Sequence, residues 1–178
     1  LYITPADVPS LQAKVSLPEF AAVWDDVQNW CGTSACMALR YVVTGNAAHC
    51  ASAIAAAIAD LDAAPIEEDI KVLGRAHHNG AIVYDWCFGE MTGTQRNQLL
   101  AHLSWQAYAN TSQAVVGHSQ GWMMYAKLPA AIAIYDEDPS LYDRLMPFFV
   151  DETVRARNFL YPGEMDTRMH QDAVPDAD

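Results

Sequence analysis

Positive charge is scarce in this chain: 10 Lys and Arg stand against 22 Asp and Glu, a net charge of −12. Nucleic acid is gripped through its phosphates by Lys and Arg, so general nucleic-acid binding is excluded. Long apolar runs are missing as well. No stretch approaches the roughly 20 uninterrupted apolar residues of a membrane-spanning helix, so the membrane is not an expected partner. The chain opens at Leu1 with no basic segment ahead of an apolar run, and no signal peptide is visible. Cysteine is sparse: Cys31, Cys36, Cys50 and Cys87 contain no C-x-x-C pair. They read first as small buried hydrophobes, with one disulfide or a weak metal site as alternatives. Alternating β patterns are few, the best being Ala81-Ile82-Val83-Tyr84 and Ala114-Val115-Val116. Apolar material itself is not lacking. At 52% hydrophobic over 178 residues the chain can close one core, which excludes intrinsic disorder.

From residue 17 to 161 the pattern is helical almost throughout. Leu17-Pro18-Glu19-Phe20 reads as a helix start, with Pro in the first turn, where its missing N–H costs nothing. Thr44-Gly45-Asn46 stops that run. The Ala-rich segment that follows sets Ile54, Ile58 and Leu61 on one face, the pattern of an inner, closely packed helix. Further helices are expected over 66–88, 92–110, 119–135 and 139–159. Pro129 should kink or thin the helix over 119–135. About six helices with short connections make an all-α array of antiparallel pairs. The helical domain is expected over residues 1–162. Residues 163–178, acidic and poor in large apolar side chains, should form a poorly ordered tail.

Gly117-His118-Ser119-Gln120-Gly121 fits G-x-S-x-G, the nucleophile elbow of serine hydrolases. There a strained strand-to-helix turn exposes the Ser hydroxyl, and a His takes its proton. Ala114-Val115-Val116 offers a strand and Ser119 a nucleophile, with Asp136, Asp138 or Asp143 and His170 following in the right order. That fold needs several parallel strands before the elbow, where residues 17–110 offer helices. Trp122 also follows the second Gly at a crowded point. The hydrolase is therefore the alternative reading.

Several segments in register point elsewhere. Gly80-Ala81-Ile82-Val83-Tyr84-Asp85-Trp86-Cys87 resembles the G-A-I-V-Y-D-W-C segment of the heparinase II/III-like polysaccharide lyases. Gly117-His118-Ser119-Gln120-Gly121-Trp122-Met123-Met124 is similar to that family's G-H-x-x-E-W-M stretch. Ala131-Ile132-Ala133-Ile134-Tyr135-Asp136-Glu137 and Arg155-Ala156-Arg157-Asn158-Phe159-Leu160-Tyr161-Pro162 continue it in the same order, so the resemblance covers about residues 20–162. It implies a partial (α/α) toroid of antiparallel helix pairs and β-elimination on uronic-acid-containing polysaccharides of glycosaminoglycan or alginate type. It also implies a periplasmic or secreted location.

In that chemistry the uronate carboxylate is neutralised, a base removes the C5 proton, and an acid protonates the leaving glycosidic oxygen. By resemblance His118 contacts the substrate carboxylate as the catalytic-site residue, and Trp122, Tyr84 and Arg157 are substrate-binding candidates. Gly121 stands where the family has its Glu. The later Q-G-x-x-Y stretch, whose Tyr serves as base and acid, is absent: His170-Gln171-Asp172 is followed by neither Gly nor Tyr. The family's β-sandwich domain, with its His and its metal site, falls outside this chain, so no cofactor or metal is expected here. Negligible lyase activity is expected of the chain alone, and a non-catalytic saccharide-binding or scaffold protein is a further alternative. Arg75, His77 and His78 suit a cleft but better suit a helix face, and the adjacent histidines diverge on a helix, a poor metal pair. Trp86 suits core packing, and Arg155 an ion pair between helices. A heavily sulfated polymer would be repelled by a −12 domain, so a less densely charged uronate polymer fits better.

Overall fold

The computed structural model describes residues 1–64, 70–109 and 117–148; at 70–71, 105–109, 117–124, 144 and 148 it describes the backbone alone. Eight α-helices run through the described residues: α1 (Val8–Val15), α2 (Ala21–Asn29), α3 (Ser34–Thr44), α4 (Ala47–Ala63), α5 (Ile70–Trp86), α6 (Gly93–Ala109), α7 (Gly117–Ala133) and α8 (Pro139–Phe148). No strand occurs among them. The fold is all-α. The first compact unit spans Leu1–Tyr142, and a second begins at Asp143, of which only residues 143–148, the end of α8, are described. The expected domain end at 162 and the acidic tail lie outside the described residues.

Local chemistry explains the boundaries. Thr33 caps α3 by accepting from the Cys36 N–H at 3.3 Å. Gly45 closes the helix in the left-handed region (φ 70°), its N–H bonded to the Tyr41 carbonyl at 2.7 Å. Asn46 then opens α4 by accepting from the Ala48 N–H at 3.1 Å. Thr44-Gly45-Asn46 thus ends one helix and starts the next. Thr92 and Gln95 form a reciprocal capping box at the start of α6, with the Thr92 N–H bonded to Gln95 Oε1 and the Gln95 N–H to Thr92 Oγ1.

Two sequence expectations need correcting. The run expected to begin at residue 17 and continue to 44 is divided: Pro18–Phe20 forms a 3₁₀ turn, α2 follows, and the extended Thr33 starts α3 afresh. The strand candidate Ala81-Ile82-Val83-Tyr84 lies inside the 17-residue α5. Its β-branched residues are buried on packed helix faces, where tertiary contact overrides their mild β preference. The other strand candidate, 114–116, lies outside the described residues.

The core centres on α5, which packs against α3, α4, α6 and α7. On α4, Cys50, Ala53, Ile54, Ala57 and Leu61 form the buried stripe, so the Ala-rich segment is the inner helix its composition suggests. Small residues let it approach closely. A Cβ added at Gly80 would meet Leu61 Cδ1 at 2.9 Å and Leu103 Cδ2 at 3.6 Å, so Gly80 leaves the room that side chains from α4 and α6 occupy against α5.

All four cysteines are paired, as Cys31–Cys36 and Cys50–Cys87. This corrects the reading of four unpaired hydrophobes. Cys31 lies ahead of α3 and Cys36 in its first turn, so the bridge closes over the start of that helix. Cys50 and Cys87 are fully buried and tie α4 to the C-terminal end of α5.

Candidate functional site

The first two turns of α7 carry His118, Ser119 and Trp122 as backbone positions. At 3.6 residues per turn, positions 118, 122 and 125 fall on one stripe of the helix. The contacts of that stripe are settled at its third member. The Tyr125 ring lies flat on the His78 ring, with centroids 3.8 Å apart and planes 9° apart.

Pro129 explains how this contact is made. In a regular helix the Tyr125 carbonyl would accept from the N–H of residue 129, and Pro has none. The carbonyl accepts instead from His78, whose Nδ1 lies 2.9 Å away. A carbonyl can only accept, so Nδ1 carries the proton of this bond. Burial lowers the His78 pKa below its ordinary value, while the bond to Tyr125 pulls it partly back.

Tyr2 completes the cluster, its ring 5.9 Å from His78 and tilted by 41°. It takes up a left-handed backbone conformation (φ 58°), unusual for a bulky residue. Its neighbour is anchored: the Leu1 nitrogen donates to Asp85, and Trp86 Nε1 donates to the Leu1 carbonyl at 2.8 Å. Tyr2 is 67% and Tyr125 44% exposed, whereas His78 beneath them is 8% exposed. Two partly exposed rings therefore stand on a nearly closed one. Burial of part of the Tyr2 ring, with Tyr125 adding to it, raises the Tyr2 phenol pKa.

Tyr84 is placed in the core rather than at a surface, with 1% of its area exposed. It donates to Glu137 and meets Phe88 edge to face at 5.5 Å. Arg96 in turn stacks over Phe88 at 4.0 Å. Burial and Glu137 push the Tyr84 pKa up to about 12, with Arg96 opposing. In this position the ring is a packing and hydrogen-bonding group, with no open face for a saccharide. Trp86 is half-buried and spends its N–H on Leu1.

The adjacent histidines diverge, as helical spacing requires. While His78 faces Tyr125, His77 is 2% exposed on the side of His102 and Lys127. Burial, then the His102 and Lys127 charges, hold its pKa at about 3 against a backbone hydrogen bond with His102, so it is neutral. Arg75 is exposed. Among the described residues no group of three or more His, Cys, Asp or Glu is arranged to hold a metal ion.

Ser119 stands in the first turn of α7, and the described helices before it, α1 to α6, offer no sheet for a nucleophile elbow. The segment that would form the elbow's strand, 114–116, is outside the described residues, as are Arg155, Arg157 and His170.

Sequence reading missed three participants. Tyr125 carried a usable signal, since it stands seven residues after His118 and four before Pro129. Tyr2 and the pair His102–Asp62, with Nε2 to Oδ1 at 2.7 Å, carried none. The latter residues are 40 apart and meet only because α6 lies against α4. No protein-family model matches this chain, and no curated protein matches it.

Proposed function

We propose that this chain is the helical, substrate-contacting part of a polysaccharide lyase acting by β-elimination on uronic-acid-containing polymers. In this reading its helices form part of an (α/α) toroid of antiparallel pairs, and its natural location is the periplasm or the exterior. One observation carries the reading. The two segments that resemble the heparinase II/III-like family, 80–87 and 117–124, lie on α5 and α7, two helices that pack together. The stripe holding positions 118 and 122 runs straight into the aromatic seam between those helices at Tyr125 and His78.

Support comes from two further features. Position 118 lies in the first turn of a 17-residue helix, where the helix dipole favours a carboxylate. A uronate brought there by His118 would have its negative charge offset, which acidifies the C5 proton. Two disulfides suit an oxidising compartment. Gly121 in place of the family's Glu makes binding without turnover the expected behaviour of this chain.

The test is affinity electrophoresis in gels containing hyaluronan, alginate or heparan sulfate, alongside ultraviolet detection of unsaturated uronate product. Retardation by at least one polymer, strongest for the less densely charged ones and weakened by His118→Ala, is the expected result. Failure to be retarded by any of the three defeats the reading.

A further inference from the structure

We infer that Tyr2, His78 and Tyr125 form a stacking subsite for the apolar face of an uncharged pyranose ring. This rests on the lyase reading for the kind of polymer, but the recognition it describes is of a different sugar by a different force. A pyranose presents a face of C–H groups carrying partial positive charge, and an aromatic ring presents a negative face to them. Such contact is indifferent to the −12 net charge that weakens electrostatic capture of a polyanion.

Geometry suits that use. One face of the Tyr125 ring is backed by His78 at 3.8 Å, and the residue remains 44% exposed. The ring is stiffened twice, by the stack and by the His78 hydrogen bond to its own carbonyl. A preorganised ring loses little freedom when a sugar settles on it. Tyr2 stands beside it, 67% exposed, in a conformation that costs on the order of 1–2 kcal/mol for a non-glycine residue. The Leu1 anchors to Asp85 and Trp86 hold it there. Strain held in place by an anchored neighbour, beside an exposed ring, is a common mark of a binding surface. The Tyr2 phenol hydroxyl can exchange hydrogen bonds with sugar hydroxyls at the ring's rim. Position 118 is seven residues from Tyr125, about 10 Å along the helix. A short run of sugar rings covers both positions, so one polymer can meet position 118 through a uronate and the tyrosines through an uncharged ring.

The experiment titrates the chain with a hyaluronan hexasaccharide and with the same oligosaccharide after carboxyl reduction, following binding by calorimetry. Tyr125→Ala and Tyr2→Ala should each weaken both ligands, Tyr125→Ala by roughly tenfold, while Tyr125→Phe stays within about twofold because it keeps the ring. Tyr135→Ala, which removes a tyrosine of like exposure (46%), should leave binding unchanged. Circular dichroism melts establish that each variant is folded. If Tyr125→Ala binds as tightly as the unaltered chain, or if the unaltered chain binds neither oligosaccharide, the subsite is refuted. The two ideas separate cleanly. Tyrosine-dependent binding of the carboxyl-reduced ligand together with indifference to His118→Ala sinks the uronate reading and keeps the subsite. Dependence on His118 alone does the reverse.

Discussion

His78 Nδ1 donates to the backbone carbonyl of Tyr125 at 2.9 Å, supplying the hydrogen bond that Pro129 cannot. A residue on α5 thereby completes the backbone of α7. Substituting His78→Phe keeps an aromatic ring against Tyr125 but strips the carbonyl of its donor, at a cost of about 1–3 kcal/mol. Pro129→Ala restores a main-chain N–H to the same carbonyl and should rescue the His78→Phe chain by more than it stabilises the original one. Urea unfolding of the four chains gives the coupling, expected at about 1 kcal/mol. Strict additivity would show that the two residues do not share this acceptor.

His77 sets an acid limit on stability. Its pKa is about 3 in the fold, against an ordinary 6.5 when the chain unfolds. Between those values the unfolded chain holds a proton that the folded one refuses, so stability falls as pH drops from 6.5 towards 3, by up to about 1.4 kcal/mol per unit. His77→Gln should flatten that slope in urea titrations across the range. An unchanged slope would mean that the imidazole takes up its proton without unfolding.

At the alkaline end Tyr84 acts with the opposite sign. Its folded pKa of about 12 exceeds the ordinary 10, so the folded state keeps a proton that the unfolded state has lost. Its stabilising share is complete below pH 10 and disappears as pH climbs through 12. Tyr84→Phe should cost about 1 kcal/mol at neutral pH through the lost bond to Glu137, yet fall away more slowly above pH 10. Phenolate absorbance at alkaline pH reads the titration directly.

The two disulfides should differ in worth. Cys50–Cys87 closes 37 residues and Cys31–Cys36 closes five. Chain entropy alone gives about 4 kcal/mol for the first and about 2 kcal/mol for the second. Paired Cys→Ala variants, compared by thermal melting without reductant, should rank in that order. Equal losses would mean that the longer bridge acts on something other than the unfolded chain.

Much of the fold was legible because its signals are local. Thr44-Gly45-Asn46 states a helix stop and start within three residues, and the alanines of 47–63 state close packing. The division of the first helical run was not legible, because Cys31-Gly32-Thr33 is a weak breaker until Thr33 caps α3. Nor was either disulfide. Cys50 and Cys87 meet only through the packing of α4 on α5, and the shorter bridge depends on where α3 begins. For the site, the motif at 117–124 drew attention to α7, but the residue that stacks on and hydrogen-bonds to His78 of α5 is Tyr125, one place beyond the motif. Its role depends on a missing N–H at 129, an absence that sequence periodicity does not register. Tyr84, conspicuous within its motif, is a core residue because α5 is helical there and turns that position inward.

The N-terminal limb is attached in an unequal way. Neither α1 nor α2 buries a residue. Its far end is bolted down by Arg40, which reaches the Val27 and Cys31 carbonyls at 2.7 Å each, and by a covalent bridge to Cys36. Its near end is tied through Leu1 to Asp85 and Trp86, and α1 through Gln12, whose Nε2 donates to the Val43 carbonyl at 2.9 Å. A single protease nick between residues 3 and 8 would leave the downstream piece clipped in place, by Gln12 as well as by the bridge, and the upstream peptide held by Leu1 alone, free to drift off with the Tyr2 ring. Limited digestion would then shave one tyrosine from the aromatic cluster and leave the helical core closed around Cys50–Cys87.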